Sequence, residues 1–152
     1  MDKPASRSEY KKYVTSLGNK CAFCADQGDL IIKRYTHWDW VFAAFPYRKY
    51  HTMIVPRRHV VNFFDLEESE IFEFRSVLKE AEDIYKKSGL VSKESLFGDQ
   101  IYYAWRTRVV VEGKECVSHF HLHICPKFES ETSIVLTDDA WDIDMDYIKR
   151  FI

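Results

Sequence analysis

The run His119-Phe120-His121-Leu122-His123-Ile124-Cys125 constrains this chain more than any other segment. It places three of the six histidines close together, with apolar residues between them. Side chains in a strand alternate between faces. As a strand, the run therefore puts the three imidazoles on one face and Phe120, Leu122 and Ile124 on the other. One face packs on a core. The other carries a row of nucleophilic or metal-binding groups. The competing account is a half-exposed edge strand that happens to carry histidines, and the scarcity of histidine in ordinary sequences weighs against it.

The flanking sequence suggests where that strand sits. Ser6 to Leu17 fits a short, mostly polar helix, and Asn19 to Cys24 a loop with a Cys-x-x-Cys knuckle. Leu30 to Tyr35 and Asp39 to Ala44 read as strands joined by a turn near Thr36-His37-Trp38. Pro46 interrupts a ladder, so 45–50 is a connection. His51 to Val55 is a strand that Pro56 ends. The period then changes: Ile71, Phe74, Leu78, Ala81 and Tyr85 recur at helical spacing between Glu67 and Ser88, with Gly89 as a C-cap. Acidic residues in the first turn and lysines in the last complement the helix dipole. Ile101 to Val111 and Cys116 to Cys125 read as two strands turning at Glu112-Gly113-Lys114, hence a hairpin. A short helix is expected at Met145 to Ile152. The pattern is α+β: an antiparallel sheet packed by one long helix, with short terminal helices, in a single domain over 1–152.

Composition narrows the function classes. A chain of 152 residues suits one domain with a real core. The formal net charge of -2 leaves no basic footprint for nucleic acid. No apolar stretch has the length of a membrane helix, and the first residues show no signal-peptide core. Four cysteines in that context point to thiols or metal ligands rather than disulfides, and to the cytoplasm.

A neutral imidazole can attack phosphorus and later act as the leaving group, splitting one difficult displacement into two easier steps. The developing charge on the phosphate oxygens needs fixed donors. A row of histidines supplies both. The pattern His-apolar-His-apolar-His-apolar-apolar at 119–125 resembles the signature of the histidine-triad family of nucleotide hydrolases and transferases. The segment from Phe45 through His51-Thr52-Met53-Ile54-Val55-Pro56 to His59 is similar to the family's turn and apolar strand ending in Pro and His. Cys21-Ala22-Phe23-Cys24 resembles its zinc knuckle. The likeness covers roughly residues 20–127, in the family's order.

The resemblance implies roles. His121 would be the nucleophile, with His123 and His51 binding or orienting the phosphate. Phe45, Tyr47 and Glu115 would lie at the substrate. Cys21, Cys24, His59 and His119 would hold a structural zinc, a closed two-thiolate, two-imidazole set. Family members are often dimers, so a homodimer is expected, with the long helix or a strand edge as the contact. The expected substrate is a small nucleotide, with no nucleic-acid or membrane partner.

The chain departs from the family pattern at Tyr50, where a glycine usually precedes the strand histidine. Phe45-Pro46-Tyr47 stands where an acid commonly meets the ribose, and is closer to the diadenosine polyphosphate phosphorylase branch. Glu115 stands where an amide usually donates to phosphate. Three activities stay open on the sequence: hydrolysis at the α-phosphorus, transfer to phosphate, and nucleotide binding without turnover. Trp38, Trp40 and Trp105 fit packing better than base stacking. Arg57 and Arg58 fit a solvated loop, and His37 an exposed turn. Arg48 and Lys49 fit either a polyphosphate contact or solvent. Cys116 and Cys125 are expected on opposite faces as buried thiols.

Overall fold

The β-branched and aromatic residues of the first half of the chain form a meander, and the helix-periodic residues after them form one long helix across it. The computed structural model describes residues 4–91, 101–107, 110–111, 114–115, 118–126 and 137–152. In chain order these give helix α1 (Arg7–Leu17), strands β1 (Ile31–Arg34), β2 (Trp38–Phe42) and β3 (Thr52–Pro56), and helix α2 (Glu68–Lys87). Strands β4 (Ile101–Arg106), β5 (Val110–Val111), β6 (Lys114–Glu115) and β7 (His121–Pro126) and helix α3 (Met145–Lys149) follow. Five strands make one antiparallel sheet in the order β1-β2-β3-β7-β4, and β5 and β6 form a separate ribbon. This is the α+β architecture that the sequence implies.

The sheet has two unlike faces. Trp38, Trp40, Ile54, Leu122 and Ile124 point to one side, where Phe74, Val77, Ala81, Ile84 and Tyr85 of α2 complete the main core. Val41, Ala43, Met53 and Val55 point to the other and meet Phe23. The α2 stripe is displaced from the expected one in its first turn. Ile71 is partly exposed and Glu70 is buried, because Glu70 takes the guanidinium of Arg58 and the backbone N–H of Glu67. Gly89, at φ +75, ends the helix in the left-handed conformation that glycine adopts without a Cβ penalty.

Several expectations are corrected. The histidine strand is interior, between β3 and β4, and its residues are buried on both faces, so the edge-strand account fails. It begins at His121. The His119 N–H donates instead to Thr107 O and the Phe120 N–H to Val60 O. The hairpin is present, from Ile101 opposite Pro126 to Arg106 opposite His121, but β4 stops at Arg106. Strand β3 starts one residue late and retains Pro56 as its last position. The turn residues 112–113 and Cys116 lie outside the described residues. Among the described residues, no helix is long and apolar enough to cross a membrane.

Candidate functional site

Register places the site. His123 lies between Met53 of β3 and Ala104 of β4, and His121 lies opposite Arg106. These imidazoles share the sheet face away from α2. Phe23, inside the Cys-x-x-Cys knuckle, packs its ring on His121, with the centroids 4.6 Å apart. His51 enters from the end of the 45–50 connection. Its ring is fully buried beside His123, with the Tyr47 ring tilted against it at 4.6 Å and stacked on His123 at 5.5 Å.

Hydrogen bonds assign the tautomers of the neutral rings. The Tyr47 N–H donates to His51 Nδ1 at 3.0 Å. His51 therefore carries its proton on Nε2 and donates it to His123 Nδ1 at 2.8 Å. His123 then keeps a proton on Nε2, a donor for a bound anion. His121 Nδ1 sits 2.7 Å from the carbonyl oxygen of His119, which only accepts, so Nδ1 holds the proton and Nε2 a lone pair. His119 Nε2 donates to Pro56 O at 2.9 Å, which turns the Nδ1 lone pair toward the cysteines.

Burial keeps these rings uncharged. It lowers the His51 pKa to about 3, helped by His121. It lowers that of His121 to about 4 against the pull of the His119 carbonyl, and that of His123 to about 2 with His51 and His121 adding repulsion. An uncharged imidazole with a directed lone pair is the nucleophilic form.

The rings of His121 and His123 open on a cavity of about 750 Å³. Its walls include Phe45 and Tyr47, two residues expected at the substrate, together with Tyr10 of α1, Phe63 and Trp105. Phe45 is held between Tyr10 and Trp141, at centroid distances of 5.4 and 5.6 Å. Thr137 N–H donates to Tyr47 O, so the C-terminal segment fixes the same connection. Glu115 has its backbone in β6, but its side chain lies outside the described residues.

Cys21, Cys24, His59 and His119 converge, with their ligand atoms within 4.8 Å of one another. Sulfur-to-nitrogen distances are 3.3 Å for Cys21–His119, 3.1 Å for Cys24–His59 and 3.6 Å for Cys24–His119, all to Nδ1. A tetrahedron with metal–sulfur bonds of about 2.3 Å and metal–nitrogen bonds of about 2.0–2.1 Å has a sulfur–nitrogen edge of about 3.5 Å. The donor set thus fits a metal ion.

The remaining residues divide between expectation and correction. Arg48 is buried, neither solvated nor in the cavity. Lys49 pairs with Asp139 at 3.5 Å. Arg57 and Arg58 are exposed on the loop after β3, as expected, and both are also bonded there: Arg58 pairs with Glu70 at 2.7 Å, and Arg57 donates to the carbonyls of Tyr35 and Thr36. His37 is half-buried, its backbone N–H bonded to Glu73. Trp38 and Trp40 are core residues, whereas Trp105 is half-exposed at the cavity. Cys125 is buried as expected. Sequence reasoning missed Arg106, Phe23 and the α1 residues of the wall. Only the hairpin register would have revealed Arg106.

A family model described as the HIT domain matches residues 31–130. The chain belongs to the HIT family. An uncharacterized HIT-like protein of Methanocaldococcus jannaschii is 26% identical over 136 residues, covering 87% of this chain and 98% of that one. A zinc-bound histidine triad family protein from Mycobacterium smegmatis has the same fold, with TM-score 0.61 at 18% identity over 86% of this chain and 91% of that one. A diadenosine triphosphate hydrolase of Plasmodium falciparum, solved with cyclomarin A, gives TM-score 0.59 at 14% identity over 84% and 78%.

Proposed function

We propose that this HIT protein is a nucleoside phosphate hydrolase that cleaves at the α-phosphorus through a covalent nucleotidyl-histidine on His121. One observation carries the reading: the His121 Nδ1–H is bonded to the His119 carbonyl, leaving the Nε2 lone pair at a nucleotide-sized cavity.

In the first step, His121 Nε2 attacks the α-phosphorus. A nitrogen–phosphorus bond forms and the bond to the leaving group breaks, the leaving atom taking the electron pair. His123 Nε2–H donates to a phosphate oxygen, and His51 holds His123 in that tautomer. In the second step, water attacks the phosphorus, the nitrogen–phosphorus bond breaks and the mononucleotide leaves with His121 restored. Phe45 and Tyr47 wall the nucleotide. Candidate substrates are dinucleoside polyphosphates, nucleoside phosphoramidates and acyl adenylates. Transfer to phosphate differs only in the second attacking group, and the Pro46-Tyr47 connection favours it as the alternative. A module that binds nucleotide without turnover is the reading that Glu115 favours.

Zinc is our assignment for the Cys21, Cys24, His59 and His119 site, on the tetrahedral two-sulfur, two-nitrogen donor set. Bound there, it would cross-link the N-terminal knuckle to His59 and to the segment leading into the strand of His121. We also assign a cytoplasmic homodimer. Strand β4 pairs with β7 alone among the described residues, which leaves one of its edges for a second copy. A sedimentation mass near the single-chain 18.1 kDa would contradict the dimer.

The reaction is tested by rapid quench with labelled substrate, followed by peptide mapping. Label on the His121 peptide that decays to mononucleotide is expected. Turnover with label on another residue would reject the assignment.

A further inference from the structure

Several cations of the described residues sit beside carboxylates. Lys33 pairs with Glu80, Arg34 with Asp39, Arg58 with Glu70 and Arg150 with Asp144. The cavity is different. Arg7 and Arg106 line it, and no aspartate or glutamate is among the described residues of its wall. Arg106 is on β4 directly opposite the nucleophile His121, on the same sheet face, and its charge acts on both His121 and His123. Arg7 is on α1, outside the residues matched by the family model, with its guanidinium carbon 5.4 Å from the Phe45 ring centroid. Neither guanidinium has a carboxylate partner among the described residues. Two exposed guanidiniums in one concave, acid-free site raise the local potential for an anion well above that of a mixed surface.

We propose that Arg106 and Arg7 are specificity-determining residues that select nucleotides whose leaving group carries its own phosphate, over nucleotides with an uncharged leaving group. This rests on the α-phosphorus reading above. The nucleotide is held against Tyr47 and Phe45, and His121 forms its bond to the α-phosphorus. The breaking phosphorus–oxygen bond delivers its electron pair to an oxygen of the departing phosphate. That oxygen gains negative charge as the bond lengthens. A guanidinium beside it offers paired, charge-assisted donors that strengthen as the charge grows. Arg106, paired across the strands with the nucleophile, serves the phosphate next to the scissile bond. Arg7, near Phe45, serves charge further along the chain. A neutral amine or alcohol leaving group gains nothing from either.

The test is equilibrium binding by calorimetry on the full chain, which needs no turnover. The probes are adenosine monophosphate and a methylene-bridged diadenosine tetraphosphate that cannot be cleaved. The wild type is expected to bind the bridged polyphosphate about tenfold more tightly than the monophosphate. Arg106→Ala and Arg7→Ala are each expected to remove about threefold to tenfold of that preference, leaving monophosphate affinity within about twofold. The preference is also expected to shrink as salt is raised. Equal binding of the two probes by the wild type would overturn the proposal. So would a loss from Arg106→Ala that is the same for both probes, or failure to bind either. If the preference and its loss are observed but no substrate turns over, the hydrolase reading fails and this assignment stands.

Discussion

His51 and His123 stand 72 positions apart in the chain, yet His51 Nε2 is 2.8 Å from His123 Nδ1 with both rings buried. Because the Tyr47 N–H already occupies His51 Nδ1, this contact sets the proton position on His123. A loop residue thereby fixes which nitrogen of a strand residue carries the proton. Replacing His51 by Ala is expected to lower kcat/KM by about 100- to 1000-fold, the scale of one lost preorganised donor. Long-range proton–nitrogen NMR of the wild type is expected to show His123 protonated on Nε2 and His121 on Nδ1. The opposite tautomers would contradict the assignment.

Loss of a metal from the Cys/His cluster should reach His121 through one residue. His119 offers Nδ1 to the metal cluster and its carbonyl to His121. Elemental analysis is expected to find about one zinc per chain. Cys24→Ser is expected to lose it and to lower the melting temperature by roughly 5–10 °C, the equivalent of a few kcal/mol in a chain of this size. Activity of Cys24→Ser is expected to fall as well, as the His119 carbonyl loses its anchor. A zinc-free wild type of unchanged stability would reject the site.

Acid should destabilise the fold. The folded pKa of His51 is lowered to about 3, against an ordinary value of 6.5 when exposed. Below pH 6.5 the unfolded chain takes up a proton that the folded chain refuses. The stability contributed by neutral His51 is therefore fully present above pH 6.5 and is lost as pH falls toward 3. Between pH 6.5 and 5 the loss from this residue is about 2 kcal/mol. Urea denaturation of the wild type and of His51→Asn at pH 7.5 and 5 measures it. Equal pH slopes in the two proteins would contradict the argument.

Tyr85 should matter out of proportion to its distance from the cavity. A chain of donors runs from Trp40 Nε1 to Thr52 Oγ1, on to Tyr85, and from the Tyr85 hydroxyl to the Tyr50 carbonyl. Tyr50 has φ +59, a conformation that costs a non-glycine residue stability, and it immediately precedes His51. Tyr85→Phe is expected to cost about 1–2 kcal/mol of stability in denaturant melts, since two buried groups lose their partner. It is also expected to raise KM. A melt identical to wild type would show that this chain of donors does not hold the loop.

Much of this was legible in the sequence because local rules and tertiary demands agreed. The His119–Cys125 alternation, the α2 period and the Cys-x-x-Cys spacing each pointed to the residues that the fold brings together. What failed was information that only packing holds. The pairing of Arg58 with Glu70 depends on how α2 crosses the sheet, and that contact also moved the buried stripe off Ile71. The clamp on Phe45 depends on Trp141, far away in the chain. Arg106 needed the exact register of β4 on β7.

The most direct test of the central claim is mononucleotide release from a panel of diadenosine tetraphosphate, an adenosine phosphoramidate and adenylyl sulfate, by wild type and His121→Ala. The account predicts release by the wild type and a loss of about a thousandfold or more in the variant, as expected when a nucleophile is removed. Turnover by His121→Ala at the wild-type rate would contradict it.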